Sequence, residues 1–400
     1  MEKLEKVNKI SLYVLVFTVT FENWNPFNLG GIISITYMGS ILYILTWLPL
    51  LKSNFHLKPL KKYIIPLLLL TLAGILSTAI NNIYAETIQN TYNQRFLTLV
   101  ILMILIANQL YNDPKLISKV LSVYIASIIL LYPLVLLGVG TEFVGGRLKL
   151  FGENPNGLGV KVVLAFLIIT ARLINNKFTL KKFILNIVFA LIMLNLIMMT
   201  GSRGALASVF LGIACLIFYM KTSIWRKATF AIGGIVFSVF LFNYIMSVNP
   251  DFSNRIERTI DKGDTGREEL WSTAWLIIQD NPVFGVGIAG AVPEMFHYTG
   301  RMMYPHNVFL YILMTTGIIG LIFFLMFILA LARNLYKNFK INNEIVYLVM
   351  YVIVLFNMAK SGGAIGKIFF WFFFAILIGS TFSTKYITNN HVHILDKKNN

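Results

Sequence analysis

Charge is what this sequence is short of. Only 13% of its 400 residues are Asp, Glu, Lys or Arg, about half the share of an ordinary soluble domain. That excludes a solvated globular enzyme and a disordered tail. Cysteine is nearly absent: Cys215 stands alone, so no intrachain disulfide forms and a disulfide scaffold is excluded. Acids are half as numerous as bases, 17 against 34. Several catalytic signatures are also missing. There is no Walker sequence, no HExxH, no Cys/His cluster at zinc spacing, no D-x-D pair to hold a metal on a nucleotide-sugar and no G-x-S-x-G elbow. The sequence therefore calls for no cofactor and no metal.

What is there is apolar. Hydrophobic residues make up 57% of the chain. A helix needs about 20 apolar residues to cross the hydrocarbon core. Twelve stretches qualify, near 9–21, 30–51, 63–80, 96–111, 117–139, 156–174, 183–200, 204–220, 226–247, 306–332, 345–359 and 364–382. The expected fold is an all-α integral membrane protein of about 12 transmembrane helices, one polytopic domain over residues 1–400. No small-residue cleavage site follows the first run, which continues Phe21-Glu-Asn-Trp-Asn-Pro26, so it is taken as an uncleaved helix.

Lys and Arg concentrate on the cytoplasmic side of membrane proteins. With the N-terminus inside, 22 of the 34 basic residues fall on inner segments and 12 of the 17 acids on outer ones. Both termini are then cytoplasmic, and the outer face is near neutral. Inner-leaflet lipids account for the basic inner face without nucleic acid. Arg is distributed differently from Lys. Seven of the ten arginines, Arg95, Arg147, Arg203, Arg255, Arg258, Arg267 and Arg301, fall outside. Arg suits bidentate recognition of phosphate or carboxylate; salt bridges to the outer acids are the plainer alternative.

One long extracytoplasmic loop runs between spans nine and ten, over 248–305. Thr265 with Glu268 spells a capping box. Leu270, Trp271, Ala274, Trp275 and Ile278 then recur at helical spacing up to Asn281-Pro282. This predicts an amphipathic helix near 266–280, on the membrane surface or roofing a cavity. Its tryptophans suit an interfacial anchor better than a sugar platform. Gly285, Gly287 and Gly290 match G-x-G-x-x-G, but no βαβ unit surrounds them. A turn or a close helix approach explains them better.

The chemistry-bearing residues gather at outer span ends. Arg203 sits in the tight turn Thr200-Gly-Ser-Arg-Gly204, where the next helix aims its free N–H groups at the same place. Arg147 precedes Gly152-Glu-Asn-Pro-Asn-Gly157. Lys161 lies one turn inside span six, where a cation is expensive and suggests function. Lys360 and Lys367 flank the last tight outer turn in the same way. His306 follows Pro305 and precedes Asn307 where span ten begins; a neutral His there can take a proton from a hydroxyl. A snorkelling Arg and an interfacial His are the plainer alternatives.

These pieces together resemble the bacterial O-antigen ligase/O-antigen polymerase superfamily. The resemblance rests on Arg147 with Gly152–Gly157, Thr200–Gly204, Gly266-Arg267-Glu-Glu-Leu-Trp271, Asn281-Pro-Val-Phe-Gly-Val-Gly287, and His306-Asn307 followed by Gly317-Ile-Ile-Gly320. It is loose over the whole chain and good over 145–325. It implies a fold similar to the lipid-linked GT-C-type glycosyltransferases, in the bacterial plasma (inner) membrane. It implies transfer of a glycan from undecaprenyl diphosphate to a sugar hydroxyl on the extracytoplasmic face, without metal or nucleotide. Its essential arginines and histidine match Arg203, Arg267 and His306. Arg147 matches a further basic position, and Lys161, Asn156 and Asn307 join it as expected diphosphate or glycan contacts. Glu268 or Glu153 is an alternative base. The expected partners are the undecaprenyl-diphosphate-linked glycan, an acceptor glycan and the bilayer, with room for a chain-length regulator and no nucleic acid. Polymerisation of repeat units is the favoured activity. Ligation to lipid A–core or another acceptor is the alternative. A twelve-span transporter, a non-enzyme reading, lacks the internal repeat it should show.

Overall fold

The computed structural model describes residues 2–26, 34–81, 94–175, 179–220, 222–248, 250, 253–254, 256–257, 267–360 and 365–382. Among them, six helices are long and apolar enough to cross a membrane. They lie at Ile35–Asn54, Lys58–Ile80, Leu116–Leu136, Pro155–Ile174, Leu180–Thr200 and Val308–Asn342. Phe96–Asn112, Arg203–Tyr219, Ile345–Lys360 and Ile368–Ser380 are shorter apolar helices. With α1 (Glu2–Thr18) and α9 (Ile224–Val248), a helix lies over each of the twelve expected stretches. The chain is a polytopic membrane protein.

The helices between are α2 (Ile35–Trp47), α3 (Lys61–Ile80), α4 (Gln94–Asn112), α5 (Leu116–Leu136), α6 (Pro155–Asn175), α7 (Leu180–Thr200) and α8 (Arg203–Tyr219). After α9 come α10 (Glu268–Asp280), α11 (Ala291–Thr299), α12 (Val308–Asn342), α13 (Ile345–Lys360) and α14 (Ile368–Ser380). All thirteen residues of α14 are buried. A helix that is apolar all round belongs inside, and α4, α5, α12 and α13 surround it. α8 packs on α6 and α13.

Two features depart from an all-helical chain of straight spans. First, β1 (Thr141–Val144) and β2 (Arg147–Leu150) form an antiparallel hairpin. Gly145 and Gly146 both take positive φ, 54° and 65°, as a tight hairpin turn requires. Second, α12 is broken at Gly317 (φ 62°, ψ −166°). The loop after α10 fills the break. Val286 and Gly287 donate to the Met314 and Thr315 carbonyls at 2.9 and 3.0 Å, and Ile318 donates to the Pro282 carbonyl at 2.9 Å. A Cβ on Gly317 would lie 2.1 Å from the Val283 oxygen. Gly285 and Gly287 therefore serve close backbone approach, as their sequence context suggests.

The amphipathic helix expected near 266–280 is α10. Leu270, Thr273, Ala274, Ile277 and Ile278 face inward, while Trp275 is exposed. Its N-cap is Arg267, whose side chain makes no cap bond; Thr265, the expected cap, lies outside the described residues, as do Arg255 and Arg258. The short helix α11 in the same loop carried no signal strong enough to place it from the sequence.

Candidate functional site

The turn between α7 and α8 is built by three residues. Gly201 closes α7 in the left-handed region, φ 52°. Ser202 caps α8, its Oγ accepting from the Ala205 N–H at 3.2 Å. Arg203 is then the first residue of α8, half-buried. The turn is braced from the hairpin. Arg147 on β2 donates through Nε to the Thr200 carbonyl at 3.2 Å and through Nη2 to Asn156 Oδ1 at 2.7 Å. Ser202 Oγ donates to the same Asn156 oxygen at 3.0 Å. Gly159 lets α6 lie against the turn, since a Cβ there would come within 2.7 Å of Ala205 Cβ.

Arg267 is half-buried at the start of α10. Burial, and then repulsion from Arg203, pull its guanidinium below the ordinary Arg value. His306 lies just before α12, with a backbone φ of 53°. The left-handed region costs a non-glycine residue about 1–2 kcal/mol. The neighbours hold it there. Asn307 caps α12, its Oδ1 accepting from the Phe309 and Leu310 N–H groups at 3.0 and 3.2 Å. On the other side, Trp271 Nε1 donates to the Pro305 carbonyl at 2.9 Å. Burial, Arg267 and Lys367, in that order, pull the imidazole below its ordinary value. That shift favours the neutral imidazole, the form able to act as a base.

Arg203, Arg267 and His306 thus meet at the starts of α8, α10 and α12. Residues 188–325 match the family model described as O-antigen ligase. Those residues are similar to the O-antigen ligase family domain. No match is found among the curated proteins. The chain is a multi-pass membrane protein with a segment similar to that family, and all three clustered residues fall within the matched segment.

Two further cations complete the cluster from outside that domain. Asn357 on α13 donates to Ser208 Oγ on α8 at 3.0 Å. This fixes α13 beside α8 and brings Lys360, the last residue of α13, up to Arg267 and Arg203. Lys367 stands at the N-cap of α14 and faces His306. Among the described residues, no carboxylate pairs with Arg267, Lys360 or Lys367. A cluster of like charges is costly unless an anion answers it. Lys360 and Lys367 were visible in the sequence as cations at outer helix ends, but nothing there tied them to Arg203 or His306.

Lys161 corrects the expectation that it contacts diphosphate. It is fully buried in the core, 2.5 Å from Glu153 Oε2 and 3.4 Å from Glu22 Oε2. Glu22 Oε1 also accepts the Ile368 N–H at 2.9 Å, so the triad ties α6 to the end of α1 and the start of α14. Glu153, one alternative base, is committed to this ion pair. Gly157 makes room for it, since a Cβ there would lie 2.1 Å from Glu153 Oε1. Glu268, the other, is exposed on the first turn of α10. Arg147 and Asn156 are engaged with each other and with the turn, and the Asn307 carbonyl is committed to its cap.

A small apolar cleft lies between α3, α4 and α12, lined by Leu70, Phe96, Leu97, Tyr311 and Ile312. Ile365, two residues before Lys367, lies at its edge. Among the described residues, no group of three His, Cys, Asp or Glu side chains could hold a metal ion.

Proposed function

We propose that this enzyme polymerises undecaprenyl-diphosphate-linked oligosaccharide repeat units into surface polysaccharide on the extracytoplasmic face. The convergence of Arg203, Arg267 and His306 carries the assignment. In this mechanism an acceptor hydroxyl attacks the anomeric carbon of the donor glycan. A new C–O bond forms and the bond to the diphosphate oxygen breaks, with inversion. His306 takes the hydroxyl proton, consistent with a neutral imidazole. Arg203 and Arg267, with Lys360 and Lys367 close by, offset the charge gained by the departing undecaprenyl diphosphate. The outward placement rests on the distribution of basic residues and acids described above.

A second assignment, ligation of the same lipid-linked glycan to lipid A–core or another acceptor, is favoured by the description of the matching family. The two differ in acceptor alone. Purified protein incubated with undecaprenyl-diphosphate-linked repeat units and nothing else should give a ladder of products. An unchanged single band with native repeat units, extended only when a second acceptor is added, would overturn polymerisation in favour of ligation. Arg203→Ala, Arg267→Ala and His306→Ala should each abolish transfer while leaving membrane insertion intact.

A further inference from the structure

Trp271 makes two hydrogen bonds that reach both halves of the site. Its backbone N–H donates to the Arg267 carbonyl at 2.9 Å, as the first turn of α10 requires. Its indole Nε1 donates to the Pro305 carbonyl at 2.9 Å. Pro305 is buried and immediately precedes His306, whose φ of 53° is a conformation a histidine adopts only when its surroundings impose it. Arg267 and His306 lie 39 positions apart in sequence on separate segments, and one side chain spans them. The sequence suggests an interfacial anchor for this tryptophan, but its polar atom has a partner within the protein. Trp275, one turn further along α10, is more exposed and has no such bond among the described residues.

We infer that Trp271 is a positioning residue that fixes the distance between Arg267 and His306 through the Pro305 carbonyl. It touches no reacting atom. The hydrogen bond holds the backbone of residue 305 against α10, and Asn307 pins residue 307 to α12. His306 is clamped between these two points, facing Arg267 from α10 and Lys367 from the start of α14. Without the indole donor the 305–306 segment can relax toward an unstrained backbone, moving the imidazole away from both cations. A displacement on the order of 1 Å costs about a hundredfold in rate. The inference rests on the role given to His306 under the proposed function.

The test uses full-length protein in nanodiscs with undecaprenyl-diphosphate-linked repeat units. Trp271→Phe keeps an aromatic ring and deletes the donor. A protein carrying benzothienylalanine at 271 keeps the indole shape without the N–H and guards against loss of folding. Both should lose about tenfold to a hundredfold in kcat, with KM within about twofold of wild type. The acid limb of the kcat profile should move to higher pH as His306 leaves Arg267 and Lys367. Trp275→Phe should change neither. Wild-type kcat and an unmoved acid limb in the benzothienylalanine protein would overturn the inference. So would a raised KM at unchanged kcat, which would make Trp271 a substrate platform. An active His306→Ala protein would instead overturn the role of His306 itself. An inactive His306→Ala protein beside fully active Trp271 variants would overturn the tether alone.

Discussion

Replacing Lys161 with Met separates a structural cation from a substrate-binding one. The side chain is fully buried between Glu153 and Glu22. Its Nζ lies 2.5 Å from one carboxylate oxygen and 3.4 Å from the other, so those oxygens are at most about 6 Å apart. Two unit charges at about 6 Å repel by about 3 kcal/mol at an effective dielectric of about 20. Removing the cation also strands both anions in the interior, and breaking a buried pair this way costs about 3–5 kcal/mol. One anion keeps some support, because Glu22 still accepts the first N–H of α14, where the helix dipole favours negative charge. The expected loss for Lys161→Met is therefore about 3–5 kcal/mol, read by unfolding in mixed detergent–SDS micelles with far-UV circular dichroism. Lys161→Met combined with Glu153→Gln removes one charge of each sign and should recover part of that loss. A Lys161→Met protein as stable as wild type yet inactive in transfer would refute the reasoning. It would place Lys161 on the substrate.

Other outcomes follow from the same geometry. Arg147→Ala removes charged hydrogen bonds to the Thr200 carbonyl and Asn156 that are worth about 1.5–3 kcal/mol each; transfer should fall at least tenfold with the protein still monodisperse. Gly317→Ala places a methyl group 2.1 Å from the Val283 oxygen at a φ of 62°; it should sharply lower the yield of folded protein in size-exclusion chromatography. Because burial and neighbouring cations hold His306 below its ordinary value, activity should be flat through neutral pH. It should fall only as pH drops below that depressed value and the base is protonated. Lys367→Met removes one of those cations, so the acid limb of its pH–rate profile should move upward. Arg267→Lys keeps the charge but loses the planar fork, and should lower kcat on the order of a hundredfold in a single-turnover assay.

The helices were legible because a membrane leaves the chain few choices. Every stretch that could span it had to satisfy its own backbone. The meeting of Arg203, Arg267 and His306 was legible only through resemblance, since they lie on separate segments. Lys161 misled because burial of a cation signals function in general. Its two carboxylate partners are 8 and 139 residues away in sequence, and only packing brings Glu22 to it. The break in α12 was hidden for a similar reason. Gly317 and Gly320 look like ordinary small residues in an apolar run, and the loop that fills the break comes 30 residues earlier. Lys360 joins the cluster through the Asn357–Ser208 contact and Lys367 through the start of α14 beside His306, and no local pattern encodes either.

The bond from the Ile368 N–H to Glu22 joins positions 346 residues apart, which bears on how the enzyme is made. Ribosomes deliver α1 long before α14. Until α14 has entered the bilayer, Glu22 lacks its amide partner and Lys367 is missing from beside His306. The candidate pocket therefore closes only after α14 has been made and inserted. A chain stalled before α14 would carry Arg203 and Arg267 in an open, incomplete pocket.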